Sequence, residues 1–89
     1  MIQETVSIIN RLGIHARAAA KLVATASNFS SKVEIAKGDR VVDGKSIMAV
    51  MMLAASCGTD IKLIIEGNDE SQARDALVGL IKDRFGEGE

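Results

Sequence analysis

The sequence has no proline, tryptophan or tyrosine, and its two phenylalanines bring aromatics to only 2% of the chain. Basic residues number eleven against twelve acidic ones, a formal charge of -1. It therefore lacks both the stacking platforms and the cationic surplus with which proteins track nucleic acid, and no nucleic-acid partner is expected. A lone cysteine, Cys57, excludes an internal disulfide, whereas secreted domains of this size ordinarily carry several, so a reducing, cytoplasmic setting is expected. One Cys and one His cannot fill a tetrahedral site, so neither metal nor cofactor is expected. The longest apolar run, Ile47 to Ala55, is nine residues, far below the ~20 that span a bilayer, and no membrane insertion is expected. Without proline, glycine and Asn/Asp must make all the turns.

What remains is 89 residues, 47% of them hydrophobic, which suits one domain over residues 1–89 with a core of Ala, Val, Ile, Leu and Met. Ile2 to Ile9 alternates as a strand, with Ile2, Val6 and Ile8 against Gln3, Thr5 and Ser7. After Asn10-Arg11-Leu12-Gly13, the residues Ala16, Ala19, Ala20, Val23 and Ala26 recur at helical spacing as far as Ser27. Lys32–Ala36 and Arg40–Val42 read as a hairpin about Lys37-Gly38-Asp39. Ser46 is a suitable N-cap for a second helix over Ile47–Ala55, with Gly58 as its left-handed exit. Asp60 to Glu66 is a strand, with Ile64 the exception to its alternation. Asp69 and Gln72 stand at capping-box spacing before a third helix with the stripe Ala73, Ala76, Leu77, Leu80, Ile81, Phe85, and Gly86–Glu89 reads as a frayed acidic end. Strand, helix, strand, strand, helix, strand, helix gives a two-layer α+β domain with helices on one face of the sheet.

His15, the only histidine, stands where the N-cap of the first helix should be, although histidine is a poor cap. The unpaired amides of a helix start, near Ala16 and Arg17, can hold an anion beside the imidazole, and Arg11, Arg17 and Lys21 surround it with no acidic residue from position 11 to 21. An imidazole nucleophile among cations and amides suits a phosphoryl group. A surface-loop histidine beside solvated basic side chains fits the same residues. No carboxylate or second base adjoins His15 and no Ser or Cys pairs with it, so hydrolysis has no visible apparatus. The second helix is apolar all round, yet a helix on a two-layer domain buries only one side. Its methionines, Met48, Met51 and Met52, therefore fit an exposed contact surface as well as an aliphatic core. Cys57, Phe29 and Phe85 read as packed residues.

Asn10-Arg11-Leu12-Gly13-Ile14-His15-Ala16-Arg17, followed by Ala18-Ala19, resembles the active-site signature of the HPr family, the histidine-containing phosphocarriers of the bacterial phosphoenolpyruvate-dependent phosphotransferase system. Lys45-Ser46-Ile47-Met48, with Met51 after it, resembles that family's second signature, and the likeness covers essentially the whole chain. The resemblance implies an open-faced β-sandwich with a four-stranded antiparallel sheet, order 1-4-2-3, covered on one face by three helices. It implies a carrier without independent catalysis, whose His15 takes a phosphoryl group on Nδ1 from enzyme I and gives it to enzyme IIA domains, with Arg17 steering the phosphate. Ser46 corresponds to the serine modified by HPr kinase/phosphorylase where that enzyme exists. The nitrogen-branch paralogue NPr, which serves a regulatory relay, is the alternative within the family. Alanine replaces the proline often found at position 18, which affects the stiffness of the helix start rather than the transfer chemistry. The expected docking patch is Leu12, Ala16, Ala20, Ile47, Met48 and Met51, ringed by Arg11, Arg17 and Lys21 and suited to an acidic-rimmed partner, with the chain a monomer. An RNA-binding module of similar element order would need sheet aromatics, a heavy-metal domain a second thiol, and a phosphatase an activated nucleophile.

Overall fold

The computed structural model describes residues 1–88. Its organising element is β4 (Asp60–Glu66), where Ile61, Leu63 and Ile65 are buried while Lys62 and Glu66 face solvent, the period-2 pattern of a sheet with one covered face. On one side β4 pairs antiparallel with β1 (Ile2–Ser7), setting Ile2 opposite Ile65 and Val6 opposite Ile61. On the other it pairs with β2 (Lys32–Lys37), setting Val33 opposite Ile65 and Ile35 opposite Leu63. β3 (Arg40–Asp43) completes the hairpin with β2, and the order is β1-β4-β2-β3, antiparallel throughout, as expected.

Three helices cover the buried face. α1 (Ala16–Ser27) turns Ala18, Ala19, Leu22, Val23 and Ala26 inward, and its three buried alanines let the backbone come close to the sheet. α3 (Glu70–Lys82) buries Ala73, Leu77 and Ile81, one residue per turn, with Ala76 and Leu80 half-buried beside them. α2 (Ile47–Met52) buries Val50 and packs against α1. Among the described residues no helix is long and apolar enough to cross a membrane.

Several local expectations are corrected. The first strand ends at Ser7 rather than Ile9. Ile8 stays buried and is tied to the 58–59 turn through its N–H to the Thr59 carbonyl and its carbonyl to the Gly58 N–H. α2 ends at Met52, three residues before the expected Ala55, because Ala54 turns left-handed (φ +53°) and sends Ala55 into the core beside Gly13. Gly58 has the positive φ expected of it, but in the turn after this segment rather than at the helix exit. The carbonyls left open at the end of α2 are taken by cations from the hairpin, with Lys37 Nζ 3.0 Å from the Leu53 oxygen and Arg40 Nη1 2.9 Å from that of Met52.

Asp69 does not close a capping box with Gln72. Its carboxylate reaches across the fold to accept from the N–H groups of Ser30 and Ser31, at 2.9 and 3.0 Å, and from the Ser31 hydroxyl. The Ser31 hydroxyl bond, then the backbone bond from Ser30, hold Asp69 at a pKa of about 2, below its ordinary 3.8. Gly67 makes this approach possible, since a Cβ there would lie 2.6 Å from Ser31 Cα. Phe85 is buried, as expected, but not on the α3 stripe. The helix ends at Lys82, and Arg84 and Phe85, both left-handed (φ +55° and +54°), fold back through a 3₁₀ turn that drives the ring inward. Phe29 is only half-buried at the core's edge, and Cys57 is exposed rather than packed.

Candidate functional site

The site is built from the loop between β1 and α1. Its geometry depends on Gly13, which has φ +69° and lies so near the 55–57 segment that a Cβ would stand 2.6 Å from the Ala55 carbonyl oxygen. No side chain fits there. The Ile14 N–H then bonds to the same Ala55 oxygen at 2.8 Å, and the Ile14 side chain is buried. The loop is thus pinned from below, and the next residue, His15, is delivered to the N-cap of α1 in extended conformation. Its carbonyl accepts from the Ala19 N–H, while its side chain makes no capping bond. The amides of the first turn, which carries no acidic residue, are left to other partners.

The imidazole is half-buried and its two nitrogens are in different surroundings. Nε2 is hydrogen-bonded to the Glu87 carboxylate, whereas Nδ1 has no hydrogen-bond partner among the described residues. Glu87 is held in turn. Asn10 Nδ2 donates to Glu87 Oε1 at 3.0 Å and to the Gly13 carbonyl at 2.7 Å, so one fully buried amide fixes both the loop and the carboxylate. The hydrogen bond from Asn10, that from His15 and the charge of Arg17 keep the Glu87 carboxyl below the usual carboxylate range. Lys21, one turn along α1 from Arg17, donates Nζ to the Phe85 carbonyl at 2.7 Å and fastens the tail that carries Glu87.

Two expectations are overturned here. A carboxylate does adjoin His15, although it lies 72 positions away in sequence. The expected frayed end is also not frayed over Gly86 and Glu87, where the backbone bonds back to Asp83 and Arg84 and the Glu87 side chain is tied down, while Glu89 lies outside the described residues. Asn10 and Glu87 are the residues sequence reasoning missed. Asn10 resembled a turn residue, and only the extension of the α3 stripe to Phe85 hinted that the tail was anchored.

The remaining expected residues fall into two groups. Arg17 is exposed on the first turn of α1, makes no hydrogen bond to the described residues, and lies close enough to Glu87 to lower its pKa. Ala16 and Ala20 are exposed on the same helix, and Arg11 and Leu12 on the loop before it, with Leu12 64% exposed. On α2, Ile47, Met48 and Met51 face solvent, as does Met52, which the expected patch omitted; Met48 at 68% and Met52 at 61% are not core residues. Ser46 caps α2, its Oγ accepting from the Ala49 N–H at 3.3 Å.

Comparison with known proteins places this geometry. The family model described as "PTS HPr component phosphorylation site" matches residues 2–83. The phosphocarrier protein HPr of Cupriavidus necator is 55% identical over 89 residues, the whole of both chains. That of Neisseria meningitidis is 53% identical over the same full length. The crystal structure of HPr-C-His from Thermoanaerobacter tengcongensis superposes with a TM-score of 0.94 at 48% identity, covering 98% of each chain. By sequence over its full length and by fold, the chain belongs to the HPr family of histidine-containing phosphocarriers.

Proposed function

We propose that the chain accepts a phosphoryl group on His15 from enzyme I, with phosphoenolpyruvate as the ultimate donor, and passes it to enzyme IIA domains for sugar uptake and its regulation. The observation that carries this reading is the asymmetry of the imidazole, with Nε2 occupied by Glu87 and Nδ1 without a hydrogen-bond partner among the described residues, at the amide end of a twelve-residue helix. Arg17 supplies a cation for the incoming phosphate. In this role the protein is a carrier rather than a catalyst, a cytoplasmic monomer of one domain over residues 1–89. Both curated relatives compared bear the name HPr, which favours the sugar branch over the nitrogen branch.

Leu12, Ala16, Ala20, Ile47, Met48 and Met51 form the docking surface in this reading, with Met52 beside them and Arg11, Arg17 and Lys21 as its basic rim. Ser46 is the position for HPr kinase/phosphorylase, where a phosphate would add nearly two negative charges next to a surface that receives an acidic partner. The test is incubation with enzyme I, Mg²⁺ and phosphoenolpyruvate. An acid-labile adduct is expected on the parent protein and none on His15→Ala; equal labelling of the two would refute the assignment.

A further inference from the structure

The carboxylate of Glu87 has a task that the carrier reading alone does not assign. We infer that Glu87 is a positioning residue for His15, holding the proton of the neutral imidazole on Nε2 so that the lone pair of Nδ1 is presented to the phosphoryl donor. The inference rests on the proposed phosphorylation of His15 and on three features of the site. Nε2 is hydrogen-bonded to Glu87 Oε2, while the other oxygen, Oε1, is occupied by Asn10 Nδ2 at 3.0 Å. Both partners are shielded, the side chains of His15 and Glu87 being 27% and 10% exposed. The tail is fixed two residues before the contact, by the buried ring of Phe85 and by Lys21 on the Phe85 carbonyl. An ionised carboxylate only accepts hydrogen bonds, so the shared proton must be the Nε2–H of the imidazole.

During transfer, the Nδ1 lone pair forms the new N–P bond while the bond from phosphorus to the donor breaks, its electron pair remaining on the donor. The ring then carries a positive charge, with its proton still on Nε2, and the carboxylate that accepts from Nε2 offsets that charge. Onward transfer reverses these steps and returns the ring to the same tautomer. The arrangement parallels the orientation of a catalytic imidazole by a carboxylate, here with the imidazole as nucleophile. Arg17 is the counterweight: its positive charge bears on Glu87 and offsets part of the repulsion between that carboxylate and an incoming phosphate.

The experiment compares the parent with Glu87→Ala and Glu87→Gln, with melting curves to verify folding. Imidazole ¹⁵N shifts of the neutral ring should report a proton on Nε2 and a bare Nδ1 in the parent, and a mixture of tautomers in Glu87→Ala. The rate of His15 phosphorylation at saturating enzyme I should fall at least about tenfold in Glu87→Ala, the scale of one hydrogen bond to a charged group, with KM for enzyme I unchanged. Glu87→Gln keeps an acceptor oxygen but not the charge and should retain the parent tautomer with an intermediate rate. Parent-like shifts and rate in Glu87→Ala, or a loss confined to KM, would overturn the inference while leaving His15 as the acceptor. A parent protein that takes no phosphoryl group on His15 would instead overturn the proposed function, and the nitrogen shifts would still decide whether Glu87 sets the tautomer.

Discussion

At the scale of single residues, the backbone is strained where a helix has to stop. Ala54 sits at φ +53° after α2, a conformation that costs an L-residue about 1–2 kcal/mol. Glycine would relieve that cost while adding about 0.4–1 kcal/mol of unfolded-state freedom. Ala54→Gly is therefore expected to stabilise the protein by about 0.5–1 kcal/mol, measured by denaturant unfolding. Asp69 gives a second prediction. Its folded pKa of about 2 lies below the ordinary 3.8, so the unfolded chain takes up the proton first. The stabilisation is complete above the ordinary value and is lost as pH falls through 3.8 toward 2. Asp69→Asn should lower stability at neutral pH and converge with the parent only as pH falls below about 2, visible as a flattened acid limb when melting temperature is plotted against pH.

Among the elements, α2 decides how much of its apolar circumference serves the core. Val50, with Leu53 and Ala55 just beyond it, is buried, whereas Ile47, Met48, Met51 and Met52 are exposed. Met48→Glu should leave stability within about 0.5 kcal/mol of the parent. It should also weaken enzyme I binding by more than ~1 kcal/mol, read by calorimetry and melting curves on the same sample. The elements themselves were legible in the sequence because their signals are local. The alternation of Ile61, Leu63 and Ile65 marks β4, and the spacing of Ala73, Leu77 and Ile81 marks α3. The His15 loop was legible for the same reason, since its glycine, its imidazole and the helix behind them are consecutive. Choices made between distant groups were not. Asp69 stands at capping-box spacing but finds two backbone N–H groups and a hydroxyl on the loop after α1. Likewise, the carbonyls ending α2 are met by Lys37 and Arg40 from a hairpin rather than by residues of the helix.

Across the whole molecule, an early loop and a late tail of the sequence meet at the site. The loop after β1 provides Asn10 and His15, and the tail after α3 provides Phe85 and Glu87. Phe85→Ala removes a fully buried ring, which should cost about 3–5 kcal/mol, a large share of the roughly 5–15 kcal/mol that holds a small domain. Urea unfolding should show this as a lower midpoint at an unchanged slope. A midpoint equal to that of the parent would mean that the tail contributes nothing to the core.

The strand order also governs how the protein comes into being. β1 and β2 each pair with β4 and not with each other. On the ribosome, the first forty-odd residues to emerge therefore hold only the β2–β3 hairpin as a paired sheet unit, and β1 waits with its edge unsatisfied. The central position is filled only when residues 60–66 leave the exit tunnel. Sheet assembly is thus a late event of synthesis, and Ile2, Val6 and Ile8 stay exposed to chaperones until then.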